Sequence, residues 1–314
     1  MHRKLSELKK LYLEGRNITE ILRDANAENI NTAEIIEISY DLQAGSYISL
    51  CQQNPEFSSE YANTLVDHMR PWITSDDHIL DVGTGELTTF GPVMSQLDYG
   101  SAFACDLSLS RILAGRTWLQ RHLPHVHENL RPFVADLVAL PFSDAAVDVT
   151  WSSHALEPNH GREKLLITEL LRVTRKVLIL FEPHFESACS EGKERMKRLG
   201  YIRNLEEIIA GCGGELIELV KLPITANALN HTHCYVIKPN RHNSFTRKPI
   251  TKPQLVCPRG MGPLDMEANG CIISSTGLLA YPLVSGIPLL RSHLAFPFTH
   301  PEFITSIPTL TDLT

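Results

Sequence analysis

Long apolar runs are missing from this chain of 314 residues. None approaches the roughly 18–20 residues needed to cross a bilayer, so a membrane-spanning role is excluded as an expectation. An excess of basic charge is missing too. Lys and Arg number 29 against 36 Asp and Glu, for a formal net charge of −7, which argues against broad electrostatic binding of nucleic acid. Cysteine is sparse. The seven stand scattered at Cys51, Cys105, Cys189, Cys212, Cys234, Cys257 and Cys271, an odd number without framework spacing. That pattern argues against a disulfide scaffold and for a cytoplasmic location. The opening residues, Met1 to Glu7, run into a charged helical pattern with no apolar signal core, so secretion is not expected. No internal repeat and no low-complexity tract occurs.

What is present is a globular composition, 43% hydrophobic and 21% charged, long enough for one large domain and something smaller. Residues 1–70 read as a helical cap. Leu5, Leu8, Leu11 and Leu13 form one apolar face, Ile18, Ile21 and Leu22 another, and a third helix-like segment over 33–50 breaks near Gly45. From residue 78 short apolar runs (78–83, 101–106, 132–137, 146–152, 176–182) alternate with helix-length segments (88–98, 108–123, 161–175). Such alternation predicts βα units and a doubly wound, mostly parallel sheet in an α/β domain over 71–240. A helical stretch at 187–212 precedes two strand-like runs, 215–222 and 232–238, which lack a crossover helix between them and predict an antiparallel hairpin at the sheet edge. Residues 239–256 carry three prolines, Arg241, Arg247, Lys248 and Lys252, and no acid. We read 241–256 as a linker, with a small anion-binding patch as the alternative. A small β module over 257–295 and an extended tail over 296–314 complete the chain.

The most informative segment is Leu80-Asp81-Val82-Gly83-Thr84-Gly85-Glu86. A buried strand ends in an acid and enters a loop in which Gly83 permits a tight turn and Gly85 allows close approach to the main chain. The second strand ends at Asp106, about 20 residues on, where a carboxylate can take both hydroxyls of a ribose; the alternative is a cap for the helix that follows. The third ends at Ala135-Asp136-Leu137, where the acid can accept from an adenine amino group beside an apolar neighbour, or simply cap its own turn.

Together these segments resemble the class I S-adenosylmethionine-dependent methyltransferases. The resemblance rests on Leu80 to Gly85 (L-D-V-G-x-G), Ala135 to Val149 (A-D-x-x-x-L-P-F-x-D-x-x-x-D-V), Ser152 to Glu157 (S-x-H-x-L-E) and Glu169 to Arg175 ahead of the fifth strand. It implies a seven-stranded sheet with its last strand antiparallel and S-adenosyl-L-methionine as cofactor. It implies further that Asp81, Gly83 and Gly85 flank the methionine part, Asp106 the ribose, Asp136 and Leu137 the adenine, and Ser152 the sulfonium end, with Tyr40, Glu86 and Leu107 completing the cofactor-binding set. The chain departs from that pattern at Leu87, where many members carry a third glycine, and at Glu86, where small residues are common.

Methyl transfer from a sulfonium is an in-line displacement, and the protein's task is to hold a nucleophile about 3 Å from the methyl carbon. A general base contributes about 10²–10⁴-fold when the acceptor must lose a proton. Candidate bases follow strands four and five: His184 first, then Glu157, then His154. Each has a structural alternative, namely an exposed loop histidine, a helix-capping acid and a hydrogen-bonded framework histidine. Ser39 to Tyr47 reads as a lid with a glycine hinge, or as packing around half-buried Tyr40 and Tyr47. No metal site is expected, because Asp144, Asp148, His154, Glu157 and His160 alternate in direction. The expected function is methylation, on O or N, of a small-molecule or glycan-precursor acceptor, with neither nucleic acid nor membrane expected as partner and a homodimer as the assembly considered. A non-catalytic methyltransferase-fold scaffold is the alternative. A nicotinamide-dependent oxidoreductase is disfavoured by the missing third glycine.

The segment from Leu255 to Leu290, with Cys257-Pro258-Arg259-Gly260, Asn269-Gly270-Cys271, Tyr281-Pro282 and Gly286-Ile287-Pro288-Leu289-Leu290, resembles the small zinc-ribbon-like activators of methyltransferases. Zinc in that fold needs two C-x-x-C pairs. Here Cys257 faces Gly260 and Cys271 faces Ser274, so the resemblance implies a β module without a complete zinc site. Its expected role is to cover apolar surface of the catalytic domain or to shape the acceptor pocket.

Overall fold

The computed structural model describes residues 4–26, 30–240, 252–268 and 270–300. Helices α1 (Leu5–Leu13), α2 (Ile18–Asp24), α3 (Ala33–Asp41), α4 (Ser46–Gln53) and α5 (Pro55–Met69) form the N-terminal cap. Their starts are dictated locally. Asn17 and Thr32 accept the amides of Glu20 and Ile35 at 3.2 and 3.3 Å, and Pro55 opens α5 where its missing N–H costs nothing. There follow β1 (His78–Val82), α6 (Phe90–Met94), β2 (Ser101–Asp106), α7 (Leu109–His122), α8 (Pro124–Asn129), β3 (Leu130–Val134), β4 (Val147–Ser153), α9 (Glu163–Val173), β5 (Thr174–Pro183), α10 (Ser190–Leu199), α11 (Leu205–Gly211), β6 (Gly214–Lys221) and β7 (Thr232–Pro239).

These strands form one seven-stranded sheet in the order β3-β2-β1-β4-β5-β7-β6. β1 pairs in parallel with β2 and β4, while β7 runs antiparallel between β5 and β6. The strand order switches at β1, with β2 and β3 laid down on one side and β4 and β5 on the other, which opens a crevice at the carboxyl ends of the central strands. Alternate strand residues divide between two cores. Leu80, Val82, Phe103 and Leu178 face α9 and α11, whereas Ile79, Ala104, Val149 and Ile179 face α5, α6 and α7. The helix expected over 88–98 shrinks to α6, and Leu87 in the turn before it adopts a left-handed backbone (φ 58°). The stretch 187–212 splits into α10 and α11 after Gly200, whose left-handed φ of 71° ends α10.

The C-terminal module is a second, antiparallel sheet of β8 (Met266–Ala268), β9 (Cys271–Ser274), β10 (Leu279–Val284), β11 (Ile287–Pro288) and β12 (Phe296–Pro297). Phe296 and Pro297 pair with β10, so the sheet reaches into the segment expected as an extended tail. Residues 241–251, most of the expected linker, and 301–314 lie outside the described residues. The module docks on the main sheet at its β3 edge. Leu290 N donates to Val134 O at 2.7 Å and Val256 N to Pro141 O at 2.9 Å. Cys257, Tyr281 and Leu290 join the core that holds Phe133 and Phe142. No helix among the described residues is long and apolar enough to cross a membrane.

Candidate functional site

The loop after β1 starts the site. Gly83 and Gly85 both take left-handed φ, 69° and 55°, which only glycine adopts freely. A Cβ on Gly83 would lie 2.2 Å from that of Ala155, and one on Gly85 2.5 Å from Nη2 of Arg111. The approach to Gly85 that the sequence reserved for a ligand is made here by an arginine. Asp106, at the end of β2, is buried and fixes this loop: one carboxylate oxygen accepts Gly85 N at 2.9 Å, the other Ser108 N at 2.8 Å. The helix-capping role weighed for Asp106 falls instead to Ser108, whose hydroxyl accepts Arg111 N.

Two recesses meet above the loop. One, of about 520 Å³, is lined by Asp106, Leu107, Asp136 and Leu137 together with Ile36 and Pro158. The other, of about 490 Å³, is lined by Asp81, Thr84, Gly85, Glu86, Tyr47, Trp151 and Ser153. Tyr40, Gly83, Arg111 and His154 line both and form the waist between them. Of the acids at the ends of the first three strands, Asp81 borders the second recess and Asp106 and Asp136 the first, so they stand around two adjoining recesses. Asp136 receives Nη2 of Arg162 on both oxygens at 2.9 Å, which braces it from behind α9's start. Burial pushes the Asp81 carboxyl well above the usual carboxylate range, and the charge of Asp106 adds to the effect.

Several expected site residues sit otherwise. Ser152 turns its hydroxyl away, donating to Glu182 at 3.0 Å, while its neighbours Trp151 and Ser153 line the cleft, as strand alternation demands. Glu86 borders the cleft but spends its carboxylate on the cap, accepting Gly45 N at 3.0 Å and Ile48 N at 2.8 Å at the start of α4. His184 follows β5, outside the lining of both recesses. Its ring contacts Ser187 at 2.7 Å and Glu206 at 3.1 Å, and packs 4.8 Å from His233.

His154 does border the cleft, in a left-handed backbone (φ 56°). Its Nδ1 meets Glu157 and its Nε2 meets Thr232, each at 2.9 Å. Burial lowers the imidazole pKa, but the hydrogen bond and charge of Glu157, with Glu182 behind, outweigh it and raise the value. Glu182 is fully buried and accepts the amides of Ala155 at 2.9, Leu156 at 3.0 and Glu157 at 3.2 Å, so one carboxylate shapes the whole loop. Burial pushes its pKa up to about 7.

Two residues carry little site signal in the sequence. Glu182 reads as part of a strand. Arg111 looks like an ordinary helix-surface arginine, yet it shares the inward face of α7 with Gly115 and Leu119 at helical spacing, the one sequence signal that could have found it. Among the described residues no group of three or more His, Cys, Asp or Glu is placed to hold a metal. Cys257 is buried with its Sγ 3.2 Å from the Tyr281 hydroxyl, and Cys271 is half-buried.

No family model matches the sequence, and no curated protein matches it. Solved structures are similar in fold. One belongs to the complex of the Haloferax volcanii Trm112 methyltransferase activator with the protein assigned there as a methyltransferase (TM-score 0.50, 16% identity, 64% of this chain and 97% of that one). Another is geranyl diphosphate C-methyltransferase from Streptomyces coelicolor A3(2), in complex with Mg2+, geranyl diphosphate and S-adenosyl-L-homocysteine (TM-score 0.46, 13% identity, 58% of this chain and 80% of that one). A third is the YcgJ protein of Bacillus subtilis (TM-score 0.46, 13% identity, 58% and 98%). At these identities the likeness extends to the fold alone. That fold, with its strand order and antiparallel β7, is the α/β architecture of class I methyltransferases.

Proposed function

We propose that the chain is an S-adenosyl-L-methionine-dependent methyltransferase of the cytoplasm, acting on a small-molecule or glycan-precursor acceptor. The observation that carries this reading is the pair of adjoining recesses over a glycine loop, one bordered by Asp106 and Asp136 and the other by Asp81. The residues fit the cofactor at both ends. Asp106 suits a ribose, Asp136 beside Leu137 an adenine, and the second recess with Tyr40, Asp81 and Arg111 an amino-acid end. The S-adenosyl-L-homocysteine in the Streptomyces structure is in keeping with this choice of ligand. When bound, S-adenosylmethionine supplies an activated methyl group.

The remaining work falls to this chain's own side chains. Tyr40 on the cap covers the waist, while Tyr47 borders the second recess. The His154–Glu157 pair is the base best placed to take a proton from an acceptor. His154 in its neutral form accepts the proton and Glu157 stabilises the resulting imidazolium. Because its pKa is raised, turnover should climb as pH increases past the usual histidine range. His154→Ala should then depress turnover more than His184→Ala; the reverse ranking returns the role to His184.

Calorimetric titration with S-adenosyl-L-homocysteine tests the reading directly. Saturable binding is expected, and no heat at near-millimolar ligand overturns it. Transfer is tested by incubating the protein and methyl-deuterated S-adenosylmethionine with the small-molecule fraction of a cell extract and seeking a deuteromethyl mass shift. One observation favours a second reading, a non-catalytic scaffold: both ring nitrogens of His154 are already engaged by the protein. Binding without any labelled product would support that alternative.

A further inference from the structure

Neither ring nitrogen of His154 is open to a ligand. Nδ1 is held by Glu157 and Nε2 by Thr232, each at 2.9 Å. These partners decide which nitrogen carries the proton. A carboxylate only accepts, so Nδ1 donates to Glu157, and the neutral ring keeps its lone pair on Nε2, where the Thr232 hydroxyl donates to it. Thr232, the first residue of β7, is buried and lines neither recess. Its hydroxyl has a further partner, the phenol of Tyr61 on α5, which is hydrogen-bonded in turn with Ser153 Oγ at 2.9 Å. Ser153, the last residue of β4, does line the second recess, beside His154. Among the described residues its hydroxyl has Tyr61 as its one hydrogen-bonding partner. A hydroxyl offers one donor and two acceptor sites, so Ser153 can still accept a proton at the recess wall. From Ser153 through Tyr61 and Thr232 to His154, each hydroxyl can donate to the next group while accepting from the one before. The Tyr61 ring is held in this place by stacking on Phe57, with centroids 6.1 Å apart and planes 8° from parallel. Burial raises the pKa of its phenol, with the charges of Glu182 and Glu157 adding and the bonds to Ser153 and Thr232 opposing, so the group stays neutral and hands a proton on instead of holding a charge.

We propose that Ser153, Tyr61 and Thr232 form a relay that carries a proton from the methyl acceptor to His154. This rests on the chain being a methyltransferase. Ser153 is the catalytic residue of the relay, since it touches the acceptor; Tyr61 and Thr232 act through it, positioned between it and the base. The step balances. A lone pair of the acceptor bonds the methyl carbon as the carbon–sulfur bond breaks and its electrons return to sulfur, leaving a neutral thioether. The acceptor's proton passes to Ser153 Oγ, the serine proton to Tyr61, the phenolic proton to Thr232 and the threonine proton to Nε2. Each hydroxyl ends with one proton, and the positive charge lost at sulfur reappears on the imidazolium beside Glu157. The titratable groups around that ring are Glu157 and Glu182, Tyr61 from α5, and Tyr40 and Arg111 across the waist. Engagement of both ring nitrogens, which favours a scaffold if His154 has to touch the acceptor itself, is what the relay requires.

The test has two readouts. The first is the tautomer of His154, from ring-nitrogen NMR shifts of the wild type at a pH where the imidazole is neutral. A proton on Nδ1 and a bare Nε2 are expected; a proton on Nε2 reverses the last link and overturns the relay. The second compares wild type, Tyr61→Phe, Thr232→Val and Thr232→Ser for the rate of deuteromethyl product formed from methyl-deuterated S-adenosylmethionine and the small-molecule fraction of a cell extract, alongside calorimetric affinity for S-adenosyl-L-homocysteine. Tyr61→Phe keeps the stacked ring and removes only the hydroxyl. We expect Tyr61→Phe and Thr232→Val to lower the rate about 10²-fold, the lower end of what a general base contributes, with affinity within about twofold of the wild type. Thr232→Ser, which restores the hydroxyl, should recover most of the rate. The climb of the wild-type rate with pH through the histidine titration should flatten in Tyr61→Phe, because the base no longer exchanges a proton with the acceptor. A wild-type rate and pH profile in Tyr61→Phe, or a fall in rate matched by a fall in affinity, overturns the relay. A wild type that binds S-adenosyl-L-homocysteine but forms no labelled product fails at the methyltransferase reading itself and takes the relay with it. Should Thr232→Val give no folding transition, Tyr61→Phe decides.

Discussion

Leu87 stands where the family pattern carries a glycine, and its backbone keeps the glycine's conformation, φ 58°. A left-handed non-glycine residue costs about 1–2 kcal/mol. The side chain is fully buried between Phe90 and Val93 in the core beneath the cap, and removing a buried leucine costs about 2–5 kcal/mol. Burial wins. Leu87→Gly should lower stability by up to about 4 kcal/mol in urea unfolding, the difference of those two effects; a gain in stability would show that strain dominates. Asp106 carries a different kind of load, since its two oxygens organise the loop as well as facing the cleft. Asp106→Asn should cost about 1.5–3 kcal/mol of adenosyl affinity, the range for a hydrogen bond to a charged group, and unchanged calorimetric affinity would remove it from the ribose role. Asp106, Asp136 and the two glycines were legible in the sequence because each is a strand-end feature, set by its place in a βα unit. Arg111, the turned-away Ser152 and the cap-bound Glu86 were not. Where a side chain points depends on how α7, β4 and α4 dock, and docking is not local.

At the level of elements, α3 carries the link between cap and cleft. Asp41 at its end accepts the hydroxyls of Ser108 at 2.6 Å and Ser110 at 3.0 Å, placing a carboxylate at the positive end of α7. Four residues beyond Asp41, Gly45 turns the chain with a φ of 95° into α4, whose first turn Glu86 then caps. The cap is thus tied to the glycine loop through Glu86 and to the start of α7 through Asp41. Asp41→Ala should raise amide exchange across α3 and α4 with little change in the central strands, as hydrogen-exchange mass spectrometry would report; uniform exchange throughout would mean the contact serves global stability alone. The alternation of strand and helix could be read from sequence because apolar period and glycine punctuation are local, and so could the lack of a crossover before the last strand. The insertion of β7 between β5 and β6 rests on strand pairing, for which the sequence offers only the short connection.

For the molecule as a whole, the C-terminal module is part of the core and not an appendage: Leu290 is fully buried against the side that holds Phe133 and Phe142, and Arg291 forms an ion pair with Glu37 of α3. Leu290→Ala should destabilise the entire protein in one transition by about 2–5 kcal/mol, whereas a separate early transition with the rest unchanged would mark the module as independent. Acidity acts on the same whole. Glu182 titrates near 7 in the folded protein because burial penalises its charge, against an ordinary value of 4.5. The folded chain therefore binds that proton more firmly than the unfolded chain between those limits. The stability this provides is complete below about 4.5 and is lost as pH rises through about 7. His154, also raised by its acid neighbours, adds stability that is lost on the same upward passage. Asp77, lowered overall by its bonds to Lys176 and Thr74 against the effect of burial, acts in the opposite sense but only toward stronger acid. The melting temperature of the wild type should fall from pH 5 to pH 7.5. Glu182→Gln keeps an acceptor for Ala155 and Leu156 while removing the titration, so its melting temperature should decline less over that interval, as paired thermal scans would measure. An identical slope in both proteins would mean that Glu182 is ionised throughout, satisfied by the three loop amides that surround it.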